Sequence, residues 1–87
     1  MKVIKVAIAD DHKIFREGLI LSLRPFTNIK FVQEAGNGDE LLEQLSGSEP
    51  DVVLMDLRMP LKDGIETTKI LSKQYPNIHV IVLSMYE

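Results

Sequence analysis

Four short apolar runs, separated by helix-length amphipathic stretches, set the rhythm of the chain. Val3 to Ala9 is apolar apart from Lys5 and reads as a first strand. It ends on Asp10-Asp11. His12 to Arg24 carries Ile14, Phe15, Leu19, Ile20, Leu21 and Leu23 as a broad apolar face and reads as a helix. Gly18 inside it costs about 1 kcal/mol against Ala, and close packing on a neighbouring element is the expected reason. Pro25 ends that helix. Ile29 to Ala35 alternates weakly and reads as a second strand. Gly36-Asn37-Gly38 turns the chain, with Asn37 the candidate cap of the next helix and Glu40 its reciprocal partner. That helix runs to Leu45 and is expected to bury Leu41, Leu42 and Leu45 before Ser46-Gly47-Ser48 ends it. Asp51 to Met55 reads as the third strand. Lys62-Asp63-Gly64 leads into a third helix, Ile65 to Gln74, which Tyr75-Pro76-Asn77 stops. His79 to Leu83 is the fourth strand, with Ser84 at its end.

The alternation is β-α-β-α-β-α-β, with crossovers of helix length. It calls for an α/β fold with a parallel sheet and right-handed connections. The unbroken apolar run Val52 to Met55 suits a strand buried on both faces. Ligand sites in such sheets lie just beyond the carboxyl ends of the strands. A lone Asp after a strand is ordinarily a turn residue or a helix cap. Here two strands end on acids, so Asp10, Asp11, Asp56 and Ser84 are expected to gather at one edge.

Composition narrows the setting. The chain has 87 residues, a formal net charge of -3, 45% hydrophobic and 26% charged residues, which describes one small globular domain. It has no cysteine, which excludes disulfides and thiolate sites and fits a reducing, cytoplasmic compartment. No apolar run reaches the roughly 18 residues of a membrane span, and the first residues enter a strand pattern directly. The mild acidity gives no support for nucleic-acid binding by this chain itself.

Converging carboxylates constrain the chemistry. Two unit charges 4 Å apart repel by about 4 kcal/mol at an effective dielectric near 20, and a divalent cation reverses the sign of that energy. Oxygen ligands with few protein donors suit Mg²⁺, which favours phosphate chemistry. Asp is a known nucleophile that forms an aspartyl-phosphate. His12 reads as a surface or helix-start residue, and zinc is not expected. Ser84, by position alone, reads as a polar strand-end residue, and the alternative is a hydroxyl that donates to such a phosphate. Lys62 and Lys69 follow Asp56, but neither ends a strand. Gly36-Asn37-Gly38 lacks the rest of a phosphate-binding loop.

These residues resemble a known family. Ala9-Asp10-Asp11-His12, Phe15-Arg16-Glu17-Gly18-Leu19, Asp51 through Pro60, and Asp63-Gly64 are similar to the receiver domain of two-component response regulators. The likeness is greatest to the NarL/FixJ type, whose output is a LuxR-type DNA-binding domain, and it covers the whole chain. It implies a flavodoxin-like sheet of order 2-1-3-4. It implies that Asp56 is the phosphoacceptor, taking a phosphoryl group from a sensor histidine kinase. Asp11 would bind Mg²⁺ directly, as would Asp56, Asp10 would act through water, and Arg58 would give its backbone carbonyl to the metal. Ser84 would be the switch hydroxyl, and Met59-Pro60 and Gly64 would form the loop that lets the backbone approach the site.

The chain departs from the family at its end. The fourth helix, fifth strand and fifth helix of a receiver are absent, with the site Lys and the switch aromatic they carry, and Met85 stands where a small residue is common. Residues 1–87 are therefore expected to be a receiver domain incomplete at its C-terminus, with an output domain beyond it and DNA reached only through that domain. The fourth strand would be left as a sheet edge, which invites self-association. The expected action is a switch, not catalytic turnover. The competing readings are a receiver-like interaction module that takes no phosphate and a Mg²⁺-dependent phosphatase of the haloacid dehalogenase type. A nucleotide-binding protein is more distant, for want of a Gly-rich loop.

Overall fold

The computed structural model describes residues 2–57, 59 and 63–83. Among them the order is β1 (Ile4–Ala9), α1 (Lys13–Leu23), β2 (Ile29–Ala35), α2 (Gly38–Leu45), β3 (Val52–Asp56), α3 (Gly64–Gln74) and β4 (His79–Leu83). The strands form one sheet in the order β2-β1-β3-β4, and every pairing is parallel. This is the order expected of a receiver through its fourth strand. The expected elements form within a residue or two of their predicted ends.

Side chains alternate across the sheet, as the pleat requires. Ala7, Ala9, Val53 and Met55 point to one side, where Leu41 and Leu45 of α2 and Leu71 of α3 cover them. Val6, Ile8 and Leu54 point to the other, where Leu19 and Ile20 of α1 pack. The weak alternation of β2 has a structural cause. Its register against β1 shifts between Val6 and Ala7, so Val32 has no partner there. This bulge inverts the parity of the strand. Ile29 and Phe31 face the α1 side, and Ala35 faces the α2 side.

Local signals set the helix starts. Asn37 accepts from the Glu40 backbone N–H at 2.8 Å, and Asp63 does the same for Glu66 at 2.8 Å. Leu41 and Leu45 of α2 are buried as expected, with Leu42 half-buried. Two expectations for α1 fail. A Cβ at Gly18 would meet nothing within 4 Å among the described residues, so close packing by them does not account for that glycine. The predicted apolar face is also only partly covered, because α1 buries no residue fully and Ile14 is 86% exposed. On β4, Ile81 and Val82 lie on opposite faces, and both are exposed. No helix among the described residues is long and apolar enough to cross a membrane.

Candidate functional site

β1 and β3 are neighbours in register, with Ala9 opposite Met55. The next residues along, Asp10 and Asp56, therefore continue two adjacent rows, Val6-Ile8-Asp10 and Leu54-Asp56, at the carboxyl edge of the sheet. Both acids are buried, at 0% and 3% exposure. Asp11 and His12 follow where the chain turns into α1. Asp10, Asp11, His12 and Asp56 each offer one ligand atom, and these atoms all lie within 4.8 Å of one another. The gathering of three acids predicted from the strand ends is thus realised.

Backbone and side-chain bonds hold this edge in place. The Asp10 N–H donates to the Ala35 carbonyl at 2.9 Å, tying the end of β1 to β2. Asp10 Oδ1 accepts from the His12 backbone N–H at 2.7 Å. That contact is a local turn, and it takes the place of a side-chain cap on α1, for His12 itself caps nothing. His12 Nδ1 lies 3.3 Å from Asp10 Oδ1 and 3.0 Å from Asp11 Oδ1. His12 is an exposed helix-start residue, as its position suggested, but its ring also enters the acid cluster. Asp10 Oδ2 is buried and has no hydrogen-bond partner among the described residues.

Arg16 is the residue that sequence reasoning missed. Its Nη1 donates to the Asp10 carbonyl, and its Nε donates to Glu34 Oε1 at 3.2 Å. It joins α1 to the ends of β1 and β2. The available signal was a cation one turn into the helix, within the apolar stretch. Glu34 reaches it because the bulge in β2 turns that side chain toward α1.

On the other side, Gly64 explains the loop after Asp56. A Cβ there would stand 2.2 Å from the Asp56 carbonyl oxygen and 2.7 Å from Leu57 Cα. Real Cβ atoms do not come so close, so only glycine lets α3 begin against the backbone of the candidate acceptor. The Gly64 N–H donates to the Leu57 carbonyl at 3.2 Å, and Met59 is buried in the core between α2, α3 and the sheet. The loop is thus anchored through Met59 and Gly64. Arg58, Pro60 and Ser84, which carry three of the sequence expectations, lie outside the described residues, as do Lys62 and Met85.

Residues 6–87 match the family described as the response regulator receiver domain. The chain belongs to that family. It is 39% identical over 85 residues to the transcriptional regulatory protein LnrK of Bacillus subtilis, covering 98% of this chain and 39% of the relative. It is 43% identical over 82 residues to YhcZ, an uncharacterised transcriptional regulatory protein of the same organism, covering 94% of this chain and 38% of that one. The receiver therefore spans about two fifths of the length of such relatives, which are response regulators of the NarL/LuxR type. Among solved structures, it superposes on the isolated receiver domain of RcsB from Salmonella enterica with a TM-score of 0.91 at 31% identity, covering 99% of this chain and 64% of that one.

Receiver domains use Mg²⁺ at this acidic pocket, and the residues fit a divalent cation. Three carboxylates repel one another unless a positive charge lies between them. The orphaned Asp10 Oδ2 is the kind of buried polar atom that an ion or its water satisfies.

Proposed function

We propose that this receiver domain takes a phosphoryl group from a sensor histidine kinase onto Asp56 and thereby switches a covalently attached LuxR-type output domain. The carrying observation is the position of Asp56. It is a buried carboxylate at the end of β3, within ligand distance of Asp10 and Asp11, with its backbone fixed by the contact with Gly64. The RcsB receiver to which the chain is similar was solved in the presence of the phosphomimetic BeF3−.

In the proposed step a carboxylate oxygen of Asp56 attacks phosphorus. The new O–P bond forms as the N–P bond of the phosphohistidine breaks, and the imidazole leaves with the electron pair and takes up a proton. Mg²⁺, when bound among these acids, would supply positive charge to the phosphoryl oxygens. Asp11 and Asp56 would hold the metal directly, Asp10 would hold it through water, and the Arg58 backbone carbonyl would be a further ligand. Burial of Asp56 keeps bulk water from the new acyl phosphate. Ser84 then follows the phosphate and shifts a pre-existing equilibrium in the surface beyond β4. The product is a changed state of the chain, not a released one, so the domain is a switch and not an enzyme.

The same reading makes the chain cytoplasmic, one domain of a longer regulator that meets DNA through its output domain. It also carries self-association at the outer side of β4, where Ile81 and Val82 are exposed. Light scattering of wild type against Ile81→Ser checks that part, and an unchanged mass distribution removes it.

Intact mass spectrometry with acetyl phosphate and Mg²⁺ tests the acceptor. The expected result is a gain of one phosphoryl group that Asp56→Asn does not show. No gain in a chain carrying all the family's elements would favour the interaction-module reading. Steady turnover of a phosphate monoester would favour the phosphatase.

A further inference from the structure

The geometry points to His12 as a nitrogen ligand of the metal site, which makes this site select late first-row divalent cations such as Co²⁺ or Zn²⁺ over Mg²⁺ more strongly than carboxylates alone would. The inference concerns the site read above as the phosphoacceptor site and rests on that reading for its setting.

Three observations carry it. The first is spacing. His12 Nδ1 stands 3.0 Å from Asp11 Oδ1 and 3.3 Å from Asp10 Oδ1. Adjacent ligands on a cation with bonds near 2.05 Å are separated by about 2.9 Å in an octahedron and about 3.3 Å in a tetrahedron. The imidazole nitrogen already stands at a ligand-to-ligand distance from Asp11 Oδ1, the oxygen read above as a direct ligand, and in reach of Asp10. The second is Asp10, fully buried, with Oδ2 left without a partner among the described residues. A carboxylate oxygen in that state calls for a positive group beside it. The third is rigidity. The His12 backbone N–H is bonded to Asp10 Oδ1, and the His12 carbonyl accepts from the Arg16 N–H at 2.9 Å as α1 begins. The start of the helix therefore holds the ring at the cluster.

The chemistry follows from donor type. A proton on Nδ1 makes these contacts hydrogen bonds. With the proton on Nε2, the Nδ1 lone pair faces the same oxygens, and a cation between them makes that tautomer the favourable one. Imidazole suits zinc, nickel and copper, whereas Mg²⁺ takes oxygen and keeps its waters. A site that adds one imidazole to its carboxylates thus gains affinity for the borderline metals and gains little for Mg²⁺.

The test is metal binding, measured by calorimetry with Mg²⁺ and with Co²⁺, together with the visible spectrum of the Co²⁺ form. His12→Ala removes the ring. His12→Asn removes it while leaving a good helix cap, so that one variant at least keeps α1 intact. The expected result is a loss of Co²⁺ affinity of about tenfold or more in both variants, with a shifted Co²⁺ absorption band and a change in Mg²⁺ affinity below about twofold. Equal losses for the two metals would assign His12 a general electrostatic role and overturn the inference. Unchanged Co²⁺ affinity and spectrum would overturn it as well. Phosphorylation of Asp56 is scored separately with Mg²⁺. If wild type fails that assay but the Co²⁺ difference appears, the acceptor reading falls and the ligand assignment stands. The converse pattern removes only the ligand assignment.

Discussion

On the α2 and α3 side of the sheet, Ala7, Ala9, Val53 and Met55 lie under Leu41, Leu45 and Leu71, and all seven are at most 2% exposed. On the α1 side, among the described residues, Val6, Ile8 and Leu54 alone are buried, and α1 contributes no fully buried residue. The two faces meet at the site. Met59 and Gly64 anchor the loop after Asp56 in the closed face. Asp11 and His12 ride on the start of the loosely covered helix. One half of the site is thus built into packed structure, and the other half is held by a few polar bonds, chiefly those of Asp10 and Arg16. Regions with few buried apolar contacts open at low free energy. Asp56 is thus fixed by packing, whereas Asp11 and His12 are fixed by hydrogen bonds at the start of α1.

The largest expected effect is at the anchor. Gly64→Ala would drive a methyl carbon against the Asp56 carbonyl and Leu57 Cα, both backbone atoms that cannot rotate away. Either α3 moves or the strand end does. A loss of about 4 kcal/mol or more is expected, enough to unfold a thin domain. Urea denaturation followed by circular dichroism reads it. A loss below about 1 kcal/mol would show that the loop yields, and the contrast between anchored and free halves would collapse.

The contrast between faces is measured by two leucines. Leu41 is 0% exposed, and Leu41→Ala should cost about 3 kcal/mol. Leu19 is only partly buried on the α1 side, and Leu19→Ala should cost about 1 kcal/mol. Equal losses would mean that α1 is packed as tightly as α2.

Where the sequence was legible follows the same division. Elements covered on the closed face announced themselves. The unbroken run Val52 to Met55 gave a strand buried on both faces, and the Leu41 and Leu45 pair gave the buried side of α2, because burial is what keeps such residues apolar. Asp10 and Asp56 were legible as a pair because strands end at one edge and acids there have no packing reason to be present. The α1 face was over-read. Ile14 and Leu21 fit a helical stripe, but periodicity says which residues share a face and not whether anything covers that face. The bulge in β2 was illegible for a related reason. One inserted residue inverts the alternation midway, so each half is regular and the whole looks weak. Arg16 was missed because its bonds go to a carbonyl and to a residue that only the bulge brings near.

The polar half of the comparison is sharpened by removing one charge. Asp11→Asn keeps the shape of the side chain and relieves repulsion among three carboxylates that lie within 4.8 Å. The metal-free variant should be more stable than wild type by up to about 1 kcal/mol, since Asp11 is partly exposed and solvent screens it. Mg²⁺ at a hundred times its dissociation constant should stabilise wild type by about 2.7 kcal/mol and the variant by much less. Thermal melts with and without Mg²⁺ give both numbers. If the variant gains as much from Mg²⁺ as wild type, Asp11 is not a direct ligand.

The smallest expected effect is the most pointed test of the open face. Ile14 is 86% exposed one turn from the site, an apolar side chain that the fold of this chain leaves in water. Ile14→Ser removes no described contact of the core clusters. It changes helix propensity little, so stability should move by less than about 0.5 kcal/mol. A loss above about 1 kcal/mol would require that something covers Ile14 in solution. Dilution then separates two causes. If the cost disappears at low concentration, the cover is a second copy of the chain. If it persists, the cover comes from the same chain, and the Asp11 and His12 half of the site is as firmly held as Asp56.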